Sequence, residues 1–179
     1  MSRVFFQEFV SLDGYVEGRN HELDWHVVDG DFNRYVASML DAIDGILLGR
    51  LTYQLFAAYW PTATNPEACR MNELPKVVFS RTLKKVEWQN ARLATAPAAE
   101  EVARLKREPG CDLAIFGSAN LAASLVPHGL IDEYRFFVNP VVLGGGTPLL
   151  RDLAQRTKLQ LTKSETLASG VVALYYRPA

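Results

Sequence analysis

Two short segments of the chain place an arginine and a hydroxyl side chain directly after an apolar run. Gly49-Arg50-Leu51-Thr52 follows the first run, and Ser80-Arg81 follows the second. The planar guanidinium of arginine matches the geometry of a phosphate, and a nearby hydroxyl adds a further hydrogen bond. We therefore interpret both segments as candidate phosphate-binding turns, with an ordinary surface turn as the alternative for each.

A third turn follows the apolar run at residues 112–116. It begins with Gly117 and Ser118 and continues into a helical segment through Ala119, Asn120 and Leu121. Small residues between a strand and a helix allow backbone N–H groups to approach a pyrophosphate, although close packing is the alternative interpretation. Together the three turns favour a nucleotide that carries a pyrophosphate and an additional phosphate.

The two most common nucleotide-binding motifs are absent from the sequence. Neither G-x-G-x-x-G nor G-x-x-x-x-G-K-[ST] occurs anywhere in the chain. The usual dinucleotide-binding and NTPase interpretations are therefore disfavoured.

Two carboxylates and one tryptophan are candidates for a substrate site. Asp13 and Asp31 could position the substrate or an ordered water that relays a proton. Asp13 precedes Gly14, so a turn is its alternative role, and Asp31 is alternatively the N-cap of a helix. Trp25 either lines the substrate pocket or closes the core beneath its loop.

The triple glycine at Gly144, Gly145 and Gly146 indicates a close approach of the backbone to another group. That approach either brings the segment to a cofactor or allows a tight chain crossing, and both interpretations stay open.

The histidine and cysteine residues predict neither a metal site nor a covalent mechanism. His21 and His26 lie five residues apart in a polar segment without a recognised ligand pattern. Cys69 and Cys111 are too few for a disulfide framework, and neither has a convincing histidine partner.

The elements that must position these residues alternate between strands and helices over the first two thirds of the chain. Hydrophobic periodicity and turn residues predict strands at 4–10, 45–49, 76–80, 91–94 and 112–116, and helices at 32–43, 51–59, 97–108 and 119–126. The last third predicts strands at 131–138, 159–167 and 171–176, the final two joined by a hairpin. This order predicts one α/β domain over residues 1–179, with a mainly parallel sheet and an antiparallel C-terminal edge.

The composition of the chain excludes several classes of protein. The chain has 179 residues, of which 49% are hydrophobic and 22% charged, so it can build a folded core. Its formal charge of -1 argues against nucleic acid as a partner. The sequence has no apolar run near the roughly 18 residues of a membrane helix and no secretory signal pattern. We expect a cytoplasmic protein with no nucleic-acid or membrane partner.

Five motifs together resemble the dihydrofolate reductase-like family. The segments Gly49-Arg50-x-Thr52, Ser80-Arg81 and Gly117-Ser118 are similar in order and approximate spacing to the NADPH site of these proteins. Two further segments resemble the branch formed by the RibD C-terminal domain of riboflavin biosynthesis: Ser11-Leu12-Asp13-Gly14, and residues 129–146 with their terminal triple glycine. The resemblance extends over nearly the whole chain.

This resemblance implies a three-layer α/β fold, around a mixed sheet of about eight strands, that often forms a homodimer. It implies that residues 117–121 hold the pyrophosphate of NADPH through backbone N–H groups. The other implied cofactor contacts are Arg50, Thr52, Ser80 and Arg81 on the adenosine 2′-phosphate side, with Gly49, Gly144 and Gly145 as further candidates. The aromatic strand at residues 135–137 could cross the dimer interface.

The substrate half departs from the family pattern at two positions. Leu23-Asp24-Trp25 resembles the Leu-Pro-Trp that flanks the pterin site of dihydrofolate reductases, with Asp24 in place of the proline. Phe116 stands where riboflavin-pathway members commonly carry an acidic residue before the glycine turn.

The function that the resemblance implies is an NADPH-dependent reductase similar to 5-amino-6-(5-phosphoribosylamino)uracil reductase. Such an enzyme transfers a hydride to a C=N bond or to a ring-opened ribosylamino group. The small-molecule substrate would be a pyrimidine or a pterin. The alternatives are a dihydrofolate or pteridine reductase and a non-catalytic dimeric nucleotide-binding module.

Overall fold

The computed structural model describes residues 2–110 and 112–179, so the prediction for Cys111 lies outside the described residues. Within them the chain forms ten strands: β1 (Val4–Ser11), β2 (Tyr15–Glu17), β3 (Ile43–Gly49), β4 (Lys76–Phe79), β5 (Ala91–Leu93), β6 (Asp112–Phe116), β7 (Glu133–Asn139), β8 (Thr147–Pro148), β9 (Leu159–Thr166) and β10 (Val172–Pro178). The helices are α1 (Gly30–Asp41), α2 (Arg50–Tyr59), α3 (Glu67–Glu73), α4 (Ala98–Arg107) and α5 (Ala119–Leu125), with 3-10 turns at Trp60–Thr62 and Val126–His128. None of the described helices is both long and apolar enough to cross a membrane.

Eight of the strands form one mixed sheet in the order β5-β4-β3-β6-β1-β7-β10-β9. Neighbouring strands from β5 to β7 run parallel, whereas β10 is antiparallel to both β7 and β9. The predicted parallel sheet with an antiparallel C-terminal edge is therefore confirmed. The short strands β2 and β8 pair antiparallel in a separate ribbon.

Helices cover both faces of this sheet, which confirms the predicted three layers. Along β3, Leu47 faces the same core as Leu121 of α5, whereas Ile46 and Leu48 face the core that contains Met71 of α3. Because both faces are buried, β3 is a continuous apolar run rather than an alternating one. The covered strands hold the carboxyl ends of β3, β4, β6 and β1 in fixed relative positions.

Helix α1 begins after Asp29, so the prediction that Asp31 is its N-cap was wrong. Asp29 has an extended backbone, and its Oδ1 accepts a hydrogen bond from the Phe32 N–H at 2.8 Å. Asp31 already lies inside the first helical turn, where a carboxylate is also favourable beside the unpaired N–H groups.

The strand predicted to cross a dimer interface lies inside the sheet instead. Strand β7 pairs with β1 on one side and β10 on the other. Its Phe136 and Phe137 are 8% and 1% exposed because they pack into the two cores. This segment therefore stabilises the subunit and does not form the surface that was expected.

Candidate functional site

The three predicted phosphate-binding turns emerge at one edge of the sheet. Parallel pairing places Gly49 of β3 beside Phe79 of β4, so Arg50 and Ser80 are the next residues on neighbouring strands. On the other side of β3, Leu47 lies beside Ile115 of β6. In an open α/β sheet this carboxyl edge is where ligands bind.

A serine hydroxyl joins two of these turns directly. The Gly49 N–H donates a hydrogen bond to Ser118 Oγ at 2.9 Å. The Ser118 hydroxyl in turn lies 2.9 Å from Thr52 Oγ1 and 3.0 Å from the Phe116 carbonyl oxygen, either of which can accept its proton. The end of β3, the start of α2 and the turn after β6 therefore form one hydrogen-bonded unit.

The turn itself requires left-handed backbone at two successive residues. Gly117 has a φ of +52° and Ser118 a φ of +60°. A side chain on Gly117 would bring its Cβ to 3.2 Å from Thr52 Oγ1, so the position favours glycine for both conformation and space. The missing side chain lets Thr52 pack against the turn. The Gly117 N–H donates to the Gln7 carbonyl oxygen at 3.0 Å, so the expectation that this N–H binds a pyrophosphate was wrong.

The residues that follow this turn differ in what they can offer a ligand. Leu121 is buried in the core, so only its backbone is available to a ligand. Asn120 is exposed and lines a shallow groove together with Arg151, a cation that sequence analysis did not single out. The first N–H groups of an α-helix have no acceptor within the helix, and Ala119 begins α5.

The two predicted arginines are exposed at the same edge. Arg50 donates to Gln54 Oε1 one helical turn away, at 3.0 Å, and Arg81 lies at the surface. Ser80 stabilises its own turn, because its Oγ accepts hydrogen bonds from the Thr82 and Leu83 N–H groups. Its hydroxyl therefore shapes the segment that presents Arg81.

Asp13 anchors the triple-glycine segment. Its Oδ1 accepts from the Ser11 hydroxyl at 2.7 Å and from the Leu143 N–H at 3.1 Å, and its Oδ2 accepts from the Gly144 N–H at 2.8 Å. Partial desolvation opposes these bonds, yet together they hold the pKa of Asp13 below its ordinary value. The carboxylate therefore stays ionised and committed to backbone groups.

The triple glycine forms a tight crossing over the loop that follows β2. Gly144, Gly145 and Gly146 all have positive φ, and a side chain on Gly146 would collide with the Glu17 carbonyl oxygen. Arg19 donates to the Gly144 carbonyl oxygen at 2.9 Å from the same loop. The structure thus shows the crossing that was one of the two interpretations.

Asp31 contacts one residue of its own helix and one residue far along the chain. Its Oδ2 accepts from the Ala168 N–H at 3.0 Å, while its Oδ1 pairs with Arg34. Asp29 binds the adjacent Ser169 N–H at 3.3 Å. Both carboxylates therefore attach α1 to the β9–β10 hairpin.

Trp25 and His26 pack beneath the end of β1. The Trp25 Nε1 donates to the Glu22 carbonyl oxygen at 3.0 Å, and its ring meets the edge of His26. His26 stacks on Phe9 with ring centroids 4.6 Å apart. Burial lowers the pKa of His26 to about 4, with the Val16 backbone opposing the change in part, so the imidazole is neutral at physiological pH.

Glu8 is a candidate functional residue that sequence analysis missed. It lies on β1, is 8% exposed, and brings its Oε2 to 3.8 Å from the place that a Gly117 side chain would occupy. A detectable signal was present, because Phe6 and Val10, two residues to either side on the same strand face, are both apolar. A charged residue inside such a run indicates a special role.

Cys69 is exposed and donates a hydrogen bond to Glu73 Oε1. That carboxylate raises the pKa of the thiol, which disfavours the thiolate and any nucleophilic role.

Comparison with known proteins agrees with this architecture. The model for the RibD C-terminal domain matches residues 2–173. The uncharacterised Bacillus subtilis protein YyaP is 37% identical over 179 residues, covering 97% of this chain and 94% of its own.

Two solved structures share the fold at low sequence identity. A pyrimidine reductase-like protein from Corynebacterium diphtheriae superposes with a TM-score of 0.71 at 12% identity, covering 99% of this chain and 92% of that one. A Thermotoga maritima diaminohydroxyphosphoribosylaminopyrimidine deaminase/5-amino-6-(5-phosphoribosylamino)uracil reductase also gives 0.71, at 16% identity over 99% of this chain and 57% of its own. The family match over almost the entire sequence confirms the resemblance, and the chain belongs to the RibD C-terminal domain family.

Proposed function

We propose that this chain is an NADPH-dependent reductase acting on 5-amino-6-(5-phosphoribosylamino)uracil or a close pyrimidine relative. The observation that carries the proposal is the hydrogen-bonded unit of Gly49, Thr52 and Ser118 at the left-handed Gly117–Ser118 turn. Family membership supports reduction as the reaction, since the proteins of the same fold include a pyrimidine reductase-like protein and a deaminase/reductase.

The chemistry of the donor set fits this cofactor. The exposed guanidinium groups of Arg50 and Arg81 follow neighbouring strands and suit the 2′-phosphate that distinguishes NADPH from NADH. The left-handed Gly117–Ser118 turn and the first N–H groups of α5 suit the pyrophosphate. When bound, NADPH would supply the hydride, and the protein would supply orientation, exclusion of water and a proton.

Two further properties belong to the same proposal. Strand β9 ends the sheet with its side chains largely exposed, Leu161 among them, and such an edge is a template for pairing with another chain. We infer a homodimer that covers this edge, which sedimentation equilibrium tests. A reaction that uses NADPH and a phosphorylated precursor favours the cytoplasm, where both are made.

The decisive experiment follows NADPH absorbance while the protein is mixed with the phosphoribosylaminouracil. We expect stoichiometric oxidation of NADPH and formation of the ribitylamino product. Oxidation only with a dihydropterin would make the protein a pteridine reductase. Tight NADPH binding without turnover of either compound would make it a nucleotide-binding module, and failure to bind NADPH would overturn the proposal.

A matched pair of variants tests the arginine assignment within that assay. Arg81→Ala should raise the NADPH concentration needed for half-maximal rate by roughly tenfold, the effect of about 1.4 kcal/mol. Arg107→Ala removes an equally exposed arginine from the end of α4 and should leave that concentration unchanged.

A further inference from the structure

Glu8 occupies the strand next to the glycine turn, on the side away from Arg81. The sheet order β4-β3-β6-β1 places it one strand beyond Gly117, and its Oε2 points towards that turn. Its neighbour in the β7 register is the apolar Phe136. The carboxyl group of Glu8 is therefore buried, yet it lies next to the edge of the sheet that holds the candidate cofactor site.

The environment of Glu8 keeps the carboxyl protonated at neutral pH. Burial is the largest effect and raises the pKa of Glu8 to about 8; the negative charge of Glu17 on β2 adds to it. The Phe9 N–H, which donates to Glu8 Oε1 at 3.2 Å, opposes the shift only in part. Its neighbour in the β7 register, Phe136, and the glycine that it faces, Gly117, carry no charge.

Glu17, the charged residue that acts on Glu8, has two partners of its own. Glu17 also accepts a hydrogen bond from the Thr147 hydroxyl on β8, and its carboxylate lies 2.9 Å from His21 Nδ1. The His21 side chain is 73% exposed, whereas that of Glu17 is only 21% exposed. Glu17 is therefore held in place on β2, where its negative charge acts on Glu8.

We propose that Glu8 is the proton donor for the reduction, an inference that rests on the function proposed above. In the ring-opened substrate, carbon 1 of the sugar is double-bonded to the exocyclic nitrogen. The hydride that bound NADPH would supply, leaving NADP⁺, forms the new C–H bond at that carbon. The π electron pair of the C=N bond moves to the nitrogen, and the proton on Glu8 Oε2 forms the new N–H bond. Glu8 is left as a carboxylate and recovers its proton from solvent.

The other candidate carboxylates are unsuited to this step. Asp13 is held ionised by the Ser11 hydroxyl and two backbone N–H groups. Asp31 binds Arg34 and the β9–β10 hairpin, on the α1 side of the molecule. Glu8 differs from both because it is buried and reaches the glycine turn.

The experiment combines a direct titration with kinetics. Protein labelled with ¹³C at the glutamate side-chain carboxyl is titrated by NMR, and one resonance should titrate near pH 8 and disappear in Glu8→Gln. Glu17→Gln should move that resonance to lower pH, because it removes a nearby negative charge. Glu100→Gln, an exposed position on α4, should leave the resonance unchanged.

In the NADPH assay, Glu8→Gln should lower kcat by about 100-fold or more, the usual contribution of a general acid. It should also abolish the alkaline limb of the wild-type pH profile, while NADPH affinity measured by calorimetry changes less than about twofold. Glu8→Asp keeps an acid and should restore part of the rate.

The outcomes separate this inference from the proposed function. A Glu8 resonance that titrates in the ordinary acidic range, or a Glu8→Gln enzyme with the wild-type rate and pH profile, would overturn the role of Glu8 alone. Wild-type protein that binds NADPH but turns over neither substrate would overturn the proposed reaction, and with it the proton transfer, even if Glu8 titrates near pH 8.

Discussion

The two halves of the sheet's carboxyl edge use polar residues in opposite ways. At the ends of β3 and β6, the Ser118 hydroxyl accepts from the Gly49 N–H and bonds to the Thr52 hydroxyl, so neighbouring turns are joined at the edge itself. Beyond the end of β1, the Asp13 carboxylate accepts hydrogen bonds from the N–H groups of Leu143 and Gly144, which are distant along the chain. The comparison teaches that a polar residue in a loop can exist to hold another loop.

The largest loss of NADPH affinity should come from adding a side chain at Gly117. Gly117→Ala adds a methyl that must displace Thr52 by a few tenths of an ångström and places alanine in left-handed backbone. The conformational cost is about 1–2 kcal/mol of unfolding free energy, and we expect NADPH affinity to fall at least tenfold by calorimetry.

Gly129→Ala is the matched control for that variant. Gly129 has a similar φ of +62°, but a Cβ there meets open space. It should lose comparable stability and keep full NADPH affinity. An equal loss of NADPH affinity in the two variants would contradict a specific role for the Gly117 turn.

The second largest effect should be a loss of thermal stability when Asp13, beyond the end of β1, is replaced. Asp13→Asn replaces one carboxylate oxygen by an NH₂ group, which cannot accept a hydrogen bond. The Leu143 and Gly144 N–H groups therefore no longer have one oxygen each, and we expect Tm to fall by a few degrees as the triple-glycine segment loosens. Asp24→Asn, an exposed position in the nearby loop, should leave Tm unchanged.

The pH dependence of that difference checks its cause. The folded-state pKa of Asp13 is lowered, so its stabilising contribution is present above the ordinary pKa of 3.8 and is lost as pH falls through the folded value. Thermal unfolding of wild type and Asp13→Asn should therefore converge in acid. A difference that stays constant to low pH would show that the ionised clamp is not its source.

His26 should give a smaller effect, confined to mildly acidic conditions. Its pKa falls from the model-peptide value of 6.5 to about 4 on folding, so the unfolded chain binds a proton first. Titration of His26 does not reduce the free energy of unfolding above pH 6.5, and reduces it progressively as the pH falls towards 4. His26→Phe keeps the stack on Phe9 and should flatten the decline in a series of thermal melts; an unchanged slope would contradict the assignment.

The smallest effect should come from Thr52→Val. The Ser118 hydroxyl loses one acceptor but can still donate to the Phe116 carbonyl oxygen, so we expect a cost of about 1 kcal/mol. NADPH affinity should fall severalfold, and Thr52→Ser should restore it. If Thr52→Val binds NADPH like the wild type, the hydroxyl pair contributes structure alone.

The parts of the fold that could be predicted are those where one local signal dominates. The buried runs of β3 and β6 and the amphipathic pattern of α4 each required only hydrophobic periodicity. Helix α3 was missed because its seven residues bury only Ala68 and Met71, which is too few to produce a stripe. The two-residue strand β8 exists only through its pairing with β2.

The site was predictable in its segments and less so in its roles. The order of turns identified Gly49, Thr52 and Ser118, which the sheet brings together. The partners of Asp13 lie 130 and 131 residues away along the chain, so no local pattern shows them. Glu8 was overlooked although it interrupts the apolar face of Phe6 and Val10, since the glycine turn that it faces lies more than 100 residues away along the chain.

The central claim is that this edge binds NADPH through its 2′-phosphate, and titration calorimetry with NADPH and NADH tests it most directly. We predict that wild type binds NADPH more tightly, and that Arg50→Ala and Arg81→Ala weaken NADPH while leaving NADH nearly unchanged. Equal losses for both nucleotides, or equal wild-type affinity for the two, would contradict the account.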